Sequence, residues 1–80
     1  MIPELNTSNK VVGAKQVKGM LNKDKVKTVY VARDAEGRVV DDIIRTCDQK
    51  QVQVIYVESM RKLGEACEID VNAASAALLK

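Results

Sequence analysis

Two short runs of β-branched and aromatic residues, separated by a helical pattern, constrain the fold of this chain more than any other feature. Residues 27–32 (KTVYVA) and 52–57 (VQVIYV) have the composition of strands. Between them an apolar stripe recurs at helical spacing, formed by Val39, Val40, Ile43, Ile44 and Cys47. Strands that alternate with helices indicate a layered α/β domain with right-handed connections between parallel neighbours.

The flanking segments extend this alternation. A short apolar piece at Val11 and Val12 indicates a minor strand, and an apolar helical face follows it at Val17, Met20 and Leu21. After the second long strand, Ser59 can cap a short helix whose buried face is formed by Met60, Leu63 and Cys67. Residues 73–79 (AASAALL) are ambiguous by composition, and the alternation before them favours a last strand in the same sheet.

Three local expectations follow from these patterns. The run at 52–57 is nearly continuous in apolar character, which is typical of a central strand covered on both faces. Asp34 follows the first long strand and is a candidate N-cap for the next helix. Tyr30 and Tyr56 are the only aromatic residues of the chain, and both are interpreted as strand residues rather than as exposed stacking surfaces.

The length of 80 residues predicts a single domain over residues 1–80. No run approaches the roughly 18 to 20 apolar residues that a membrane span needs, so no membrane partner is expected. The first ten residues (MIPELNTSNK) lack the apolar core of a signal peptide. We therefore expect a cytoplasmic protein.

Enzyme chemistry has little support in the sequence. The chain has no histidine, and no glycine-rich phosphate loop of the GxxxxGK[ST] or GxGxxG type occurs. Asp41 and Asp42 are adjacent on a predicted helix, so their carboxylates point in different directions. Cys47 and Cys67 lie in apolar helical positions and are interpreted as buried thiols rather than metal ligands or nucleophiles. We expect no catalysis, metal, cofactor or small-molecule substrate.

Charge is distributed unevenly along the chain. Residues 1–38 carry eight Lys or Arg and four acidic residues, whereas residues 39–80 carry five and seven. Within residues 10–27 there are six lysines and one acid, Asp24. Such a basic segment suits a phosphate-rich partner, although a solvated lysine-rich face is the alternative.

Gly13 stands between the minor strand and the first helix. The amides of Ala14, Lys15 and Gln16 are then helix N-terminal donors, which favour anions. On a helical wheel Lys15 and Lys18 fall on one face, opposite the apolar stripe, and such a face could contact phosphates and base edges. The alternative is a solvated amphipathic helix with Gly13 as a turn residue. Because no exposed aromatic is expected, an RNA target would be a folded shape rather than an open strand.

Four segments, in order and in register, resemble a known family. They are GAKQV at 13–17, VYVARDA at 29–35, YVESMRKLGEAC at 56–67 and EIDVNAASAA at 68–77. The family is the L-seven-Ae family of ribosomal kink-turn-binding proteins, and the resemblance is greatest to its bacterial members. It implies a three-layer α-β-α sandwich around a mixed four-stranded sheet.

The resemblance also implies a binding site. Family members bind kink-turns, sharply bent RNA helices with a bulge followed by tandem sheared G·A pairs. The glycine-led helix start contacts the G·A pairs, the loop before the later helix packs on the bulged nucleotides, and a basic residue follows the first long strand. The predicted RNA-binding residues are Gly13, Ala14, Lys15, Gln16, Lys18, Arg33, Val57, Glu58, Ser59 and Met60.

Lys18 and Gly19 depart from the family pattern, which commonly has an apolar residue and then lysine. The expected function is still the binding and stabilisation of kinked RNA, ribosomal or riboswitch-like, by a monomer that could act on the ribosome. The alternative is a protein–protein interaction module with weak nonspecific RNA affinity.

Overall fold

The computed structural model describes Leu5 and residues 9–80. The elements alternate as the sequence predicts, beginning with the minor strand. Their bounds are β1 Lys10–Val12, α1 Ala14–Asn22, β2 Val26–Ala32, α2 Gly37–Lys50, β3 Gln53–Val57, α3 Met60–Ala66 and β4 Ser75–Leu79. The ambiguous last segment is therefore a strand, as predicted.

The four strands form one mixed sheet in the order β1-β4-β2-β3. β4 pairs antiparallel with both β1 and β2, and β3 pairs parallel with β2. The predicted α/β class with a mixed four-stranded sheet is confirmed.

Each face of the sheet has its own apolar core, because successive strand residues point to opposite faces. Val29 and Val31 of β2 pack with Val17, Leu21 and the buried stripe of α2. The alternate residues Tyr30 and Ala32 pack with Leu63 of α3 on the other face. Helices α1 and α2 thus cover one face and α3 covers the other, which confirms the three-layer sandwich.

The prediction that residues 52–57 form a central strand is wrong. β3 is an edge strand, and Ile55 and Tyr56 keep 36% and 48% of their surface exposed. β2 and β4 are the two strands with neighbours on both sides, and β2 is buried from Thr28 to Ala32. Both strands have similar composition, so the pattern identified the strands but not their order in the sheet.

The helix caps agree in part with the sequence prediction. Ser59 caps α3 as predicted, since its Oγ accepts a hydrogen bond from the Lys62 amide at 3.1 Å. The N-cap of α2 is Glu36, without a side-chain hydrogen bond, so the expectation that Asp34 caps this helix is wrong. A turn closed by the Ala35 amide on the Ala32 carbonyl (3.2 Å) separates β2 from α2 and moves the helix start past Asp34.

Both cysteines are free and buried, as predicted. Burial raises the pKa of the Cys47 thiol, and it also raises the pKa of Cys67, where the charge of Lys10 opposes it. In the described part of the chain, no group of three or more His, Cys, Asp or Glu side chains could hold a metal ion. None of the helices described there has the length and apolar character to cross a bilayer.

Gly64 fixes how α3 meets the segment that leads to β4. A Cβ added at Gly64 would lie 2.2 Å from the Val71 carbonyl oxygen, which no side chain could accommodate without movement of the backbone. The Ala73 amide then donates to the Met60 carbonyl at 3.0 Å. The segment after α3 is therefore held against the start of the same helix.

Candidate nucleic-acid interface

All three helices begin at the same end of the sheet. β1, β2 and β3 run in one direction, because β4 is antiparallel to β1 and β2 while β3 is parallel to β2. Each of these strands is followed by a helix, so the partial positive charges of the helix N-termini gather at the ends of these strands. We call this end of the sheet, marked by Gly13, Arg33 and Val57, the helix-start end.

Backbone hydrogen bonds join the predicted site segments across this end. The Gly13 amide donates to the Ser75 carbonyl at 2.8 Å, and the Arg33 amide donates to the Val57 carbonyl at 2.8 Å. The Ala32 amide bridges them by donating to the Ala74 carbonyl at 2.9 Å. Three strand spacings separate the two outer segments by roughly 14 Å. The structure thus brings the predicted segments together on one surface, and their contact with RNA stays a prediction.

Gly13 sets the start of α1. Its φ of 106° lies in the region that favours glycine, and a Cβ there would meet Oε1 of Gln16 at 2.6 Å. The Val17 amide donates to the Gly13 carbonyl, whereas the amides of Ala14, Lys15 and Gln16 precede this first donor and have no acceptor within the helix. With no acidic residue in its first turn, this helix start suits an anion.

The exposed face of α1 carries Lys15, Gln16 and Lys18, whereas Val17 and Leu21 are buried. Lys15 and Lys18 line a groove of about 260 Å³ between α1 and α2, together with Ala14, Arg38, Val39, Asp42 and Ile43. Val39 belongs to the predicted apolar stripe of α2 but is 40% exposed in this groove. The groove therefore continues the basic surface of α1 onto the start of α2.

Lys18 has a partner that the sequence did not indicate. Its Nζ forms an ion pair with Oδ2 of Asp42 on α2. The hydrogen bond and the charge of Lys18 lower the pKa of the Asp42 carboxyl. Gly19, the second residue of the departure from the family pattern, is exposed, and a Cβ added there would meet nothing within 4 Å.

The loop from β3 into α3 presents its four predicted residues differently. Val57 is buried and packs in the core beside α3, so it supports the loop from beneath. Glu58 is exposed and pairs with Lys62 at 2.5 Å, which lowers the pKa of the Glu58 carboxyl. Ser59 caps the helix, and the Met60 amide donates to Oδ1 of Asp34 at 2.7 Å. Asp34 thus ties the turn after β2 to the start of α3.

Arg33 and Tyr56 meet at the outer corner of the helix-start end. The Arg33 guanidinium carbon lies 5.4 Å from the centroid of the Tyr56 ring, a cation–π arrangement. Tyr30 is buried as predicted, but the expectation that no aromatic is exposed is wrong, because Tyr56 lies on the edge strand. The site therefore includes an aromatic surface that the sequence pattern did not reveal.

These features define a class: a small three-layer α/β protein with an anion-receptive helix start at α1 and a basic groove at the same end of its sheet. A family model described as the Ribosomal protein L7Ae/L30e/S12e/Gadd45 family matches residues 2–80. The chain belongs to this family, which confirms the resemblance seen in the four sequence segments.

Relatives from several bacteria carry names that refer to RNA. RNA-binding protein BH0128 of Halalkalibacterium halodurans is 49% identical over 70 residues, which cover 88% of this chain and 85% of the relative. RNA-binding protein TTE2299 of Caldanaerobacter subterraneus is 49% identical over 69 residues, covering 85% and 83%. RNA-binding protein YbxF of Geobacillus stearothermophilus is 37% identical over 70 residues, covering 88% and 85%.

Solved structures share the fold. The Giardia lamblia 15.5kD RNA binding protein superposes with a TM-score of 0.88 at 25% identity, over 98% of this chain and 66% of that protein. A Bacillus halodurans protein described as of unknown function superposes with a TM-score of 0.86 over 98% of this chain and 78% of its own length. Its identity of 18% makes it evidence for the fold alone.

Proposed function

We propose that this protein binds RNA at the helix-start end, and that its target is a kink-turn in ribosomal or regulatory RNA. The observation that carries the proposal is the convergence of the glycine-led start of α1 and the loop before α3 on one end of the sheet, joined through Ser75 and Arg33. Names of relatives and of one solved homologue refer to RNA binding, and they support the general part of the proposal.

The charges at this end suit an RNA backbone. Lys15 and Arg33 are both exposed there, and neither forms an ion pair within the described residues. Lys15 stands in the first turn of α1 beside free amides, so phosphates and base edges could be contacted together. Glu58 is neutralised by Lys62, which lessens the repulsion that a phosphate would otherwise meet at the loop.

The kink-turn part of the proposal rests on shape. Two contact regions roughly 14 Å apart, fixed by the sheet, match an RNA only when its G·A pairs and its bulge are presented side by side. Such a rigid surface binds the kinked conformer in preference to the extended one. The shift of the RNA equilibrium toward the kinked conformer is limited by the ratio of the protein's affinities for the kinked and extended conformers. We also propose that the protein acts as a cytoplasmic monomer.

A two-colour RNA tests this mechanism. Fluorophores at the two arms of a kink-turn RNA report the kinked fraction by energy transfer, at a low magnesium concentration where the extended form dominates. We expect the protein to raise energy transfer in a saturable manner, and Lys15→Gln to require more protein for the same rise. Binding with unchanged energy transfer would show that the protein does not select the kinked form.

A further inference from the structure

The end of the sheet opposite the helix-start end carries a cluster of lysines. α1 ends at Asn22, β2 begins at Val26 and β4 ends at Leu79, so the residues that flank these positions come together. The Lys80 amide donates to the Lys25 carbonyl at 2.9 Å, which joins the end of β4 to the start of β2. We call this surface, formed by Lys23, Lys25, Lys27 and Lys80, the lysine end.

The lysine end is less neutralised than the helix-start end. Its four lysines are exposed, and none of them forms an ion pair with any described residue. The nearest acid in sequence, Asp24, is held by the Nζ of Lys50 at 2.6 Å, and this contact lowers the pKa of Asp24. At the helix-start end, by contrast, Arg38 and Lys62 pair with neighbouring glutamates.

The lysines are presented by a fixed backbone. The turn between α1 and β2 is closed by hydrogen bonds from the amides of Lys23, Asp24 and Lys25 to carbonyls of α1, at 3.0 to 3.2 Å. Val26 is buried and anchors the strand start. Lys27 is exposed where the pairing of β2 with β4 shifts register, so its side chain projects into solvent. The backbone that carries the four lysines is therefore already ordered before a partner binds.

The composition of the surface indicates which partner fits. All of its free cations are lysines, whereas Arg33, Arg38, Arg45 and Arg61 lie elsewhere. Arginine suits bidentate recognition of a carboxylate or a phosphate in one fixed geometry, whereas lysine acts as a point charge. A surface of lysines alone therefore fits a partner that offers many phosphates and needs no single contact geometry. Neither tyrosine lies at this end, so bases of an open strand would find no stacking surface. A duplex backbone, contacted without regard to sequence, fits best.

We propose that the lysine end is a second RNA surface, which binds the phosphate backbone of a duplex segment separate from the RNA at the helix-start end. The seven residues of β2 place the two surfaces roughly 20 Å apart, at opposite ends of the sheet. The protein then bridges two RNA segments. This proposal does not require that the first segment be a kink-turn.

The test uses a short, fully paired fluorescent RNA duplex, titrated with the full chain alone and with the chain saturated by unlabelled kink-turn RNA. We expect duplex binding to survive saturation. Lys25→Gln with Lys27→Gln should weaken it about tenfold and reduce the slope of log affinity against log salt by about 2. The Lys25 carbonyl bond is made by the backbone, and Lys27 is exposed, so this variant should fold.

Arg45→Gln with Arg61→Gln is the control for net charge, because it removes two positive charges from exposed positions on α2 and α3, one of them paired with Glu65 at 3.3 Å. Its duplex affinity should stay within about twofold of the wild type. Equal losses of duplex affinity in both variants would mean that net charge alone is responsible. Displacement of the duplex by kink-turn RNA would mean that both RNAs bind one and the same surface. Displacement by polyglutamate as effective as by unlabelled duplex would assign the surface to acidic proteins. If kink-turn RNA itself does not bind, the two variants compared on the unsaturated chain still decide the role of the lysine end.

Discussion

Lys18 of α1 and Asp42 of α2 form an ion pair across a groove between two helices that begin at the same end of the sheet. Lys18 is a predicted RNA contact, so a phosphate that approaches it competes with this carboxylate. The departure from the family pattern at Lys18 and Gly19 therefore leaves a lysine on the same helix face as Lys15, but the charge of this lysine is engaged within the protein.

Replacement of Asp42 by Asn should release Lys18. We expect Asp42→Asn to bind RNA about two- to fivefold more tightly, with a steeper salt dependence, because an exposed ion pair contributes little and one more lysine becomes available to phosphate. Titration of the same RNA at several salt concentrations measures both quantities.

Asp41→Asn is the matched control, since Asp41 is exposed, adjacent and outside every ion pair among the described residues. It removes the same charge without releasing Lys18, so it should change affinity less. If Asp42→Asn instead binds more weakly than Asp41→Asn, Asp42 positions Lys18 for RNA rather than competing for it.

The same pair predicts a pH dependence. Lys18 lowers the pKa of Asp42 in the folded protein. The contribution of this ion pair to stability is therefore fully present above the ordinary aspartate pKa of about 3.9. It is lost as the pH falls through the lower pKa that Asp42 has in the folded protein. A carboxyl-carbon NMR titration should show that the titration midpoint of Asp42 is higher in Lys18→Gln than in the wild type. An unchanged midpoint would contradict the ion pair between Lys18 and Asp42.

Gly13, the N-cap of α1, and Gly19, within α1, should respond in opposite directions to substitution by alanine. Gly19→Ala should stabilise the protein by about 1 kcal/mol, because the site is exposed and open and glycine is a poor helix former. Gly13→Ala should destabilise it by roughly 1–3 kcal/mol, because its φ of 106° is strained for alanine and the new Cβ meets Gln16. Urea denaturation of both variants measures the free energies of unfolding, and a stable Gly13→Ala would contradict the assigned helix start.

Tyr56 should influence RNA binding through Arg33. In Tyr56→Leu the guanidinium loses its aromatic support, so we expect RNA affinity to fall about two- to fivefold while the exposed position leaves folding little changed. Tyr56→Phe retains the ring and should bind like the wild type. A Phe variant as weak as the Leu variant would point to the hydroxyl instead of the ring.

The sequence predicted the elements and the layers because both follow from local periodicity. β2 and β3 were identified by the same β-branched composition, and Ser59 was identified as a cap because its partner amide is only three residues away. Strand order depends on pairings between distant segments, so the edge position of β3 and the exposure of Tyr56 could not be read from composition.

The contacts that the sequence did not indicate are long-range side-chain contacts. Asp34 bonds to the Met60 amide 26 residues away, although its position after β2 favoured a cap for α2. Lys18 and Asp42 meet only because α1 and α2 pack side by side. The four family segments contain the predicted residues that the fold brings together at the helix-start end, whereas the partners that modulate the charges there required the fold.

The most direct test of the central claim is the affinity for a fluorescent kink-turn RNA, compared at one fixed salt concentration with the same RNA whose sheared G·A pairs are replaced by Watson–Crick pairs. If the helix-start end recognises the kinked shape, the first RNA binds tightly and the second is weaker by at least about a hundredfold, on the order of 3 kcal/mol. Weak binding to both RNAs with equal salt slopes would contradict the account. The basic groove would then be a nonspecific surface, and the family fold would serve protein–protein interaction instead.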